Sequence, residues 1–304
     1  MNIYDYILGR IAYNSRIWVD ELIYEFKSSE TILNLSNDLL ACFLSKIGVE
    51  ETDIKTFLEE KTHFNENKKE VIGKINIEIS NMKEAFNIDI ISFSDFNYPP
   101  QLKKIKGIPL NLYVKGDINF NFSKSIAIVG ARNATSYAKE KVVEISKELA
   151  KFGFCVISGL ARGLDGQAQN SVVAVNGKTI AVLPFLSKKI YPPEHTQLAT
   201  EILANGGALI SENFYPDKVY DRFLFTQRNR IISGLSRAIF IAEGERKSGS
   251  LSQYNHAKRQ NKLIFTLRPL TGHEGTYLPK KIIKEGGIEI ESAKDIINFL
   301  STFH

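Results

Sequence analysis

Seven short apolar runs, most of them rich in β-branched residues, alternate with helix-period stretches through the last two thirds of the chain, and no other feature restricts its folding so tightly. The runs fall at 88–92, 125–129, 155–157, 179–183, 208–210, 238–242 and 262–266. Between them lie stretches such as the one carrying Val142, Ile145 and Leu149, which share one helical face. Strands separated by helices specify βαβ units, and so an α/β protein built on a mostly parallel sheet. Ligands of such open sheets bind beyond the carboxyl ends of the strands. The strand-end loops are therefore where chemistry is expected.

The first 88 residues differ in character. Tyr4, Ile7, Leu8 and Ile11 share a face, Leu39 to Ile47 keeps helical spacing up to Gly48, and Val71, Ile75, Ile79 and Met82 line one side of another amphipathic stretch. The spacing predicts a small all-helical domain over 1–88 and an α/β domain over 89–304, closed by a helix near the end of the chain. Charge divides along the same line. Residues 1–88 hold 10 basic and 15 acidic side chains and residues 89–304 hold 29 and 19, within an overall formal charge of +5. A basic body with an acidic appendage points to a polyanionic partner for the body.

Composition closes off other classes. No apolar run approaches the roughly 18 residues of a spanning helix, and the first ten residues carry Asp5 and no basic leader region. Two cysteines are too few for a disulfide scaffold. The five histidines form no zinc spacing with them. The expectation is a cytoplasmic protein with no membrane association, metal or cofactor.

Four segments stand out. The first, 129–135, places Gly130 and Arg132 between a strand and a helix expected near Ser136, where backbone amides and a guanidinium suit a phosphate. It lacks Gly-x-Gly-x-x-Gly, so it is no dinucleotide fingerprint; a plain tight turn is the simpler reading of Gly130. The second, 157–165, holds Ser158, Gly159 and Arg162, with Asp165 as a helix cap or an orienting partner. In the third, 243–251, Gly244 and Gly249 have P-loop separation, but Ser250 stands where the phosphate-reaching lysine belongs. Lys247, Ser248, Gly249 and Ser250 could still meet a phosphodiester, or form a solvated basic turn. The fourth, 223–234, is read as another strand-end loop. Its Arg228 and Arg230 suit phosphates and its Phe223 and Phe225 suit stacked bases, although one arginine could instead anchor the loop on Glu212.

No nucleophile accompanies these segments. Gly-x-Ser-x-Gly is absent, and Cys155 falls inside a strand expected to be buried. The inventory is serine, glycine and arginine, which is that of a phosphate-binding surface.

Five motifs occur in order: Gly-Ala-Arg at 130–132, Ser-Gly-Leu-Ala-Arg-Gly-Leu-Asp at 158–165, Tyr-Pro-Pro-Glu at 191–194, Arg-Asn-Arg-Ile-Ile-Ser-Gly-Leu-Ser at 228–236 and Ser-Gly-Ser-Leu at 248–251. With the entry segments 96–102 and 112–116, they resemble the DNA-processing protein A (DprA/Smf) family from about residue 89 to 290. The resemblance implies an extended Rossmann-type domain and a homodimer that binds single-stranded DNA. It also implies protection of incoming strands during natural transformation, and loading of the RecA recombinase on them. Carried over by position, the DNA contacts are Arg132, Ser158, Gly159 and Ser248 to Ser250, joined by Arg228, Arg230 and the upstream Arg222. The helical N-terminus takes the place of the family's sterile-alpha-motif-like domain, and the winged helix that ends many members is expected to be lacking. Ala138, Gln169, Pro184 and Tyr277 depart from residues usual in the family.

A rival reading is a nucleotide-binding protein or nucleoside-monophosphate phosphoribohydrolase of the same superfamily. The Pro-Gly-Gly-x-Gly-Thr loop of those enzymes has no counterpart in 243–252.

Overall fold

The computed structural model describes the chain except for residues 16, 17, 120, 216–221, 271, 303 and 304, together with the side chain of Arg222. The described chain forms two compact units, Met1–Tyr113 and Val114–His304.

The first unit contains α1 (Ile3–Asn14), α2 (Asp20–Phe26), α3 (Ser29–Asn34), α4 (Asn37–Lys46), α5 (Glu51–Glu66) and α6 (Lys68–Phe86), then β1 (Asp89–Ser92) and the start of β2 (Asn111–Gly116). Local chemistry sets the helix ends. Asn2 caps α1 by accepting from the Tyr4 and Asp5 amides, and Ser28 and Ser36 cap α3 and α4. Asn87, at φ 53°, stops α6 in the left-handed region that asparagine tolerates.

This unit runs past residue 88 because 89–113 is hydrogen-bonded to α1. The Asn111 side chain donates to the Asp5 carbonyl at 3.1 Å. The buried Asp5 carboxylate accepts from the Ser94 amide at 2.8 Å and the Ser29 hydroxyl at 2.5 Å. Tyr98 donates to the Pro109 carbonyl at 2.6 Å. These are partners distant in sequence, which a reading by composition does not join.

The second unit contains β3 (Ser125–Val129), α7 (Ser136–Lys151), β4 (Cys155–Ser158), α8 (Leu164–Val173), β5 (Thr179–Val182), α9 (Thr196–Ala204), β6 (Ala208–Ser211), α10 (Arg222–Leu235), β7 (Ala238–Ile241), α11 (Gly249–Arg259), β8 (Leu263–Leu267), α12 (Tyr277–Lys284), β9 (Ile288–Ile290) and α13 (Ala293–Thr302). Its strands lie in the order β6-β5-β4-β3-β7-β8-β9, every neighbouring pair parallel. The mostly parallel α/β sheet expected from the sequence is present. Ile126, Ile128, Val156, Phe240 and Phe265 pack one of its faces against Val142, Ile145 and Leu149 of α7. Each such side chain contributes about 1.5–3 kcal/mol by leaving water, which holds α7 and the loop before it in place.

The order matters for function. From β3 the chain steps outward through β4, β5 and β6, then returns to the other side of β3 as β7. The crevice where winding reverses thus lies between the loops that leave β3 and β7, the place where open α/β sheets receive ligands.

The segment 223–234 is a correction. It is no loop but most of α10, because Leu224, Ile231, Ile232 and Leu235 supply a buried apolar face at helical spacing. Among the described residues no helix is long and apolar enough to cross a membrane.

Candidate functional site

The loop leaving β3 is built around Gly130. A side chain there would meet Leu164 and the Glu243 carbonyl, so only glycine lets the three loops close together. Arg132 follows, exposed and with no hydrogen bond or ion pair among the described residues. Thr135 then caps α7, its hydroxyl accepting from the Ala138 amide at 3.1 Å. The same hydroxyl donates to Glu243, the buried residue just after β7, at 2.6 Å, and the Thr135 amide donates to the other Glu243 oxygen at 3.0 Å. The two sides of the crevice are thereby tied to one carboxylate.

The loop leaving β4 is tied to the first by backbone and by Asp165. The Leu164 amide donates to the Ala131 carbonyl at 3.2 Å. Gly163, at φ 81°, lies so close to the backbone of Arg132 that a side chain would collide with it. Asp165, buried at the start of α8, accepts from the Gly130 and Gly159 amides, each at 3.2 Å. Burial pushes the Asp165 carboxyl above its ordinary range, against the pull of Arg228 and of those amides. Ser158 is fully buried, its hydroxyl donating to the Ile128 carbonyl at 2.6 Å. Arg162 is exposed and forked onto Glu194 of the Tyr-Pro-Pro-Glu segment, with one N···O distance of 3.2 Å. That pairing holds the Glu194 carboxyl down at about 2.

Arg-Asn-Arg on α10 lies beneath these loops. Arg228, 6% exposed, donates to the Gly159 carbonyl at 2.8 Å and to the Val182 carbonyl. Burial pushes its guanidinium down to about 10, with Asp165 opposing and the nearby Arg132 adding to the lowering. Asn229 donates to the Gly249 carbonyl at 3.4 Å and accepts from Gln253 at 3.1 Å. Arg230, 2% exposed, pairs with Glu212, the anchoring partner that the sequence left open. One helical turn thus reaches the ends of β4, β5 and β6 and the start of α11.

The loop leaving β7 presents its cations outward. Lys247 is exposed and has no ion pair among the described residues. Ser248 caps α11, donating to the Glu245 carbonyl at 2.8 Å and accepting from the Leu251 amide at 3.3 Å. Gly249 is exposed, and an added Cβ would meet nothing within 4 Å. Ser250 is buried, against Gly244. The departure at Tyr277 has a use here, since the Arg246 guanidinium sits 5.3 Å above its ring.

The crevice therefore gathers Gly130, Arg132, Lys247, Ser248 and Gly249 at its surface. Ser158, Gly159, Arg228, Arg230 and Ser250 lie under it, and Arg162 stands to the side on Glu194. Arg222 opens α10, and its side chain lies outside the described residues. Sequence reasoning missed Glu243 and Asp165 as the ties between loops, and Asn229 as the support of α11. Burial pushes the Cys155 thiol up and away from thiolate chemistry. Among the described residues no three His, Cys, Asp or Glu side chains gather to hold a metal ion.

A doubly wound parallel sheet with glycine-closed loops and exposed cations at its switch point defines a Rossmann-type protein. The chain belongs to the DNA recombination-mediator protein A family, whose family model matches residues 89–301. It is 36% identical over 214 residues to the DNA processing protein DprA of Bacillus subtilis, covering 70% of this chain and 71% of that one. It is 37% identical over 203 residues to Protein Smf of Escherichia coli, covering 67% of this chain and 54% of that one. Across several of its curated relatives, the chain thus spans about half of their length.

Among solved structures, DNA processing protein A from Helicobacter pylori, described for its single-stranded DNA binding mode, superposes with a TM-score of 0.63 at 28% identity over 72% of this chain and 98% of that one. DprA from Streptococcus pneumoniae shares the fold, with a TM-score of 0.67 at 24% identity over 92% and 97% of the two chains.

Proposed function

We propose that this protein is a recombination mediator, not an enzyme, that binds single-stranded DNA at the β3/β7 crevice. On this reading it works in the cytoplasm as a homodimer, protects incoming strands during natural transformation and loads RecA onto them. The observation that carries it is Arg132: an exposed guanidinium with no protein partner among the described residues, held at the switch point by a loop that Asp165 and Glu243 fix from below. Phosphates would meet Arg132, Lys247 and the first amides of α11, with bases contacted without sequence preference. Gly130, Gly159 and Ser158 shape the loops so that the strand can approach. Arg228, Arg230 and Ser250 act as positioning residues. Arg162 completes the basic surface after exchanging Glu194 for a phosphate, and Arg222 is assigned as a contact on the family resemblance alone.

The test is fluorescence anisotropy of a labelled oligo-dT strand and of a duplex of the same length across a salt series. Each phosphate neutralised on a single strand contributes about −0.7 to the slope of log K against log salt. A salt-sensitive preference for the single strand is the expected result, followed by faster RecA filament assembly on that strand in the presence of this protein. Equal, weak binding to both forms overturns the reading. Sustained release of free base from nucleoside monophosphates would assign the crevice to a phosphoribohydrolase instead.

A further inference from the structure

An open groove of about 450 Å³ runs from the β7 loop along α11, bounded on its far side by α10. Its polar lining includes Lys247, Thr226, Ser252, Asn255, His256 and Arg259, with no acidic side chain among the described residues that line it. Two cavities of the helical unit are lined by both signs of charge, one by Glu60, Glu70 and Glu78 beside Arg10 and Lys74, the other by Glu51, Glu59 and Glu66 beside Lys55. The groove is thus selectively cationic and hydroxylated in a chain rich in carboxylates.

Its two cations are unspent. Lys258 is held by Glu285 at 2.5 Å, whereas the neighbouring Arg259 is exposed and has no carboxylate partner among the described residues. From Gly249 to Arg259 the helix rises about 15 Å, the length of about two nucleotides of extended strand. His256, half-buried between them, is pushed down to about 4 by burial and by the charges of Arg230 and Arg259, with the Thr226 backbone opposing. At neutral pH it offers a neutral ring for stacking or a hydrogen bond and adds no third charge.

We propose that this groove is a second phosphate-binding track, in which Arg259 and Ser252 hold the segment of single-stranded DNA that continues past the β3/β7 crevice. The inference rests on the single-strand reading of that crevice and adds the route and one terminal contact. Arg259 closes the track because it is the last side chain of α11 and lies at the opposite end from Lys247.

Binding of the full chain to oligo-dT of about 5 and about 12 nucleotides, lengths within the range of one single-strand site, tests it. The wild-type protein gains affinity with length. Arg259→Ala is expected to cut that gain by roughly threefold to tenfold and to lower the salt slope on the longer strand by about 0.7. Ser252→Asp, which places a negative charge in the groove, should cut the gain in the same way. Arg132→Ala should instead weaken both lengths. A length-dependent gain unchanged in both groove variants, while Arg132→Ala weakens binding, overturns the track and leaves the crevice reading standing. Absence of binding by the wild-type protein at either length overturns the crevice reading, and the track with it.

Discussion

Thr135 and Glu243 join the two walls of the crevice: the hydroxyl and the amide of the one donate to the two carboxylate oxygens of the other, at 2.6 and 3.0 Å. The bond is local chemistry with a long-range effect, because Thr135 also caps α7 and so orients the loop that carries Arg132.

Thr135→Ala is therefore expected to cost about 2.5–4 kcal/mol. A lost cap contributes about 1 kcal/mol, and a lost hydrogen bond to a buried charge contributes about 1.5–3 kcal/mol. It should also weaken single-strand binding by freeing the Arg132 loop. Thr135→Ser keeps the hydroxyl and should restore both. Urea unfolding midpoints and anisotropy titrations of the two variants check this, and a Thr135→Ser variant as weak as Thr135→Ala would refute the role of the hydroxyl.

Gly159 and Gly249 separate loop closure from ligand access. A Cβ on Gly159 would lie 2.5–2.7 Å from the Arg228 guanidinium, which its carbonyl partners hold in place. Gly159→Ala should cost about 1–3 kcal/mol through overpacking. Gly249 has open space around it and opens a helix, where alanine is favoured over glycine by up to about 1 kcal/mol. Gly249→Ala should leave thermal stability unchanged or slightly raised while lowering affinity for the single strand, since the added methyl stands where a phosphate would approach the helix amides. Paired melting and binding curves decide it; equal loss of stability in both variants would contradict the assignment.

Much of this was legible in the sequence. The strand at 125–129 ends where its β-branched run ends, and α7 starts at Ser136, where the sequence places a helix start. The third segment was recognisable as a helix entry from Ser248 and Gly249. Arg228 was not, because an arginine between Gln227 and Asn229 reads as solvent-facing. Its inward position comes from tertiary partners, the carbonyls of Gly159 and Val182, that lie 69 and 46 residues away. A signal was nonetheless present. Leu224, Arg228, Ile231, Ile232 and Leu235 follow the 3.6-residue period, so Arg228 belongs to the buried face of a helix. The short β9, only three residues, carried too little apolar pattern to register.

Arg132 and Arg228 should respond oppositely to removal. Arg132 is exposed, so Arg132→Ala should leave the unfolding midpoint within about 0.5 kcal/mol of wild type and lower the salt slope on single-stranded DNA by about 0.7. Arg228→Met keeps the volume but leaves the buried Gly159 and Val182 carbonyls without their donor and Asp165 without the nearby positive charge, at a cost of about 1–3 kcal/mol or more. Adding Asp165→Asn should recover part of that loss. If Arg228→Met melts like wild type yet fails to bind, Arg228 contacts the strand directly and its placement beneath the loops is not its role.

His256 gives the protein a pH dependence with a definite sign. Its folded imidazole protonates near pH 4, pushed down by burial and by Arg230 and Arg259, whereas the ordinary value is 6.5. Between those values the unfolded chain binds more protons than the folded one, so stability rises with pH there. The contribution is complete above about pH 6.5 and is lost as pH falls toward 4. Because the ring is only half-buried, solvent screening reduces the expected effect to about 1 kcal/mol between about pH 7 and pH 5. His256→Gln removes the titration, so the difference between wild-type and variant unfolding free energies should narrow or reverse on acidification. A difference that stays constant across that range would show that the imidazole titrates alike in both states, and that the groove is wetter around His256 than its packing against α10 implies.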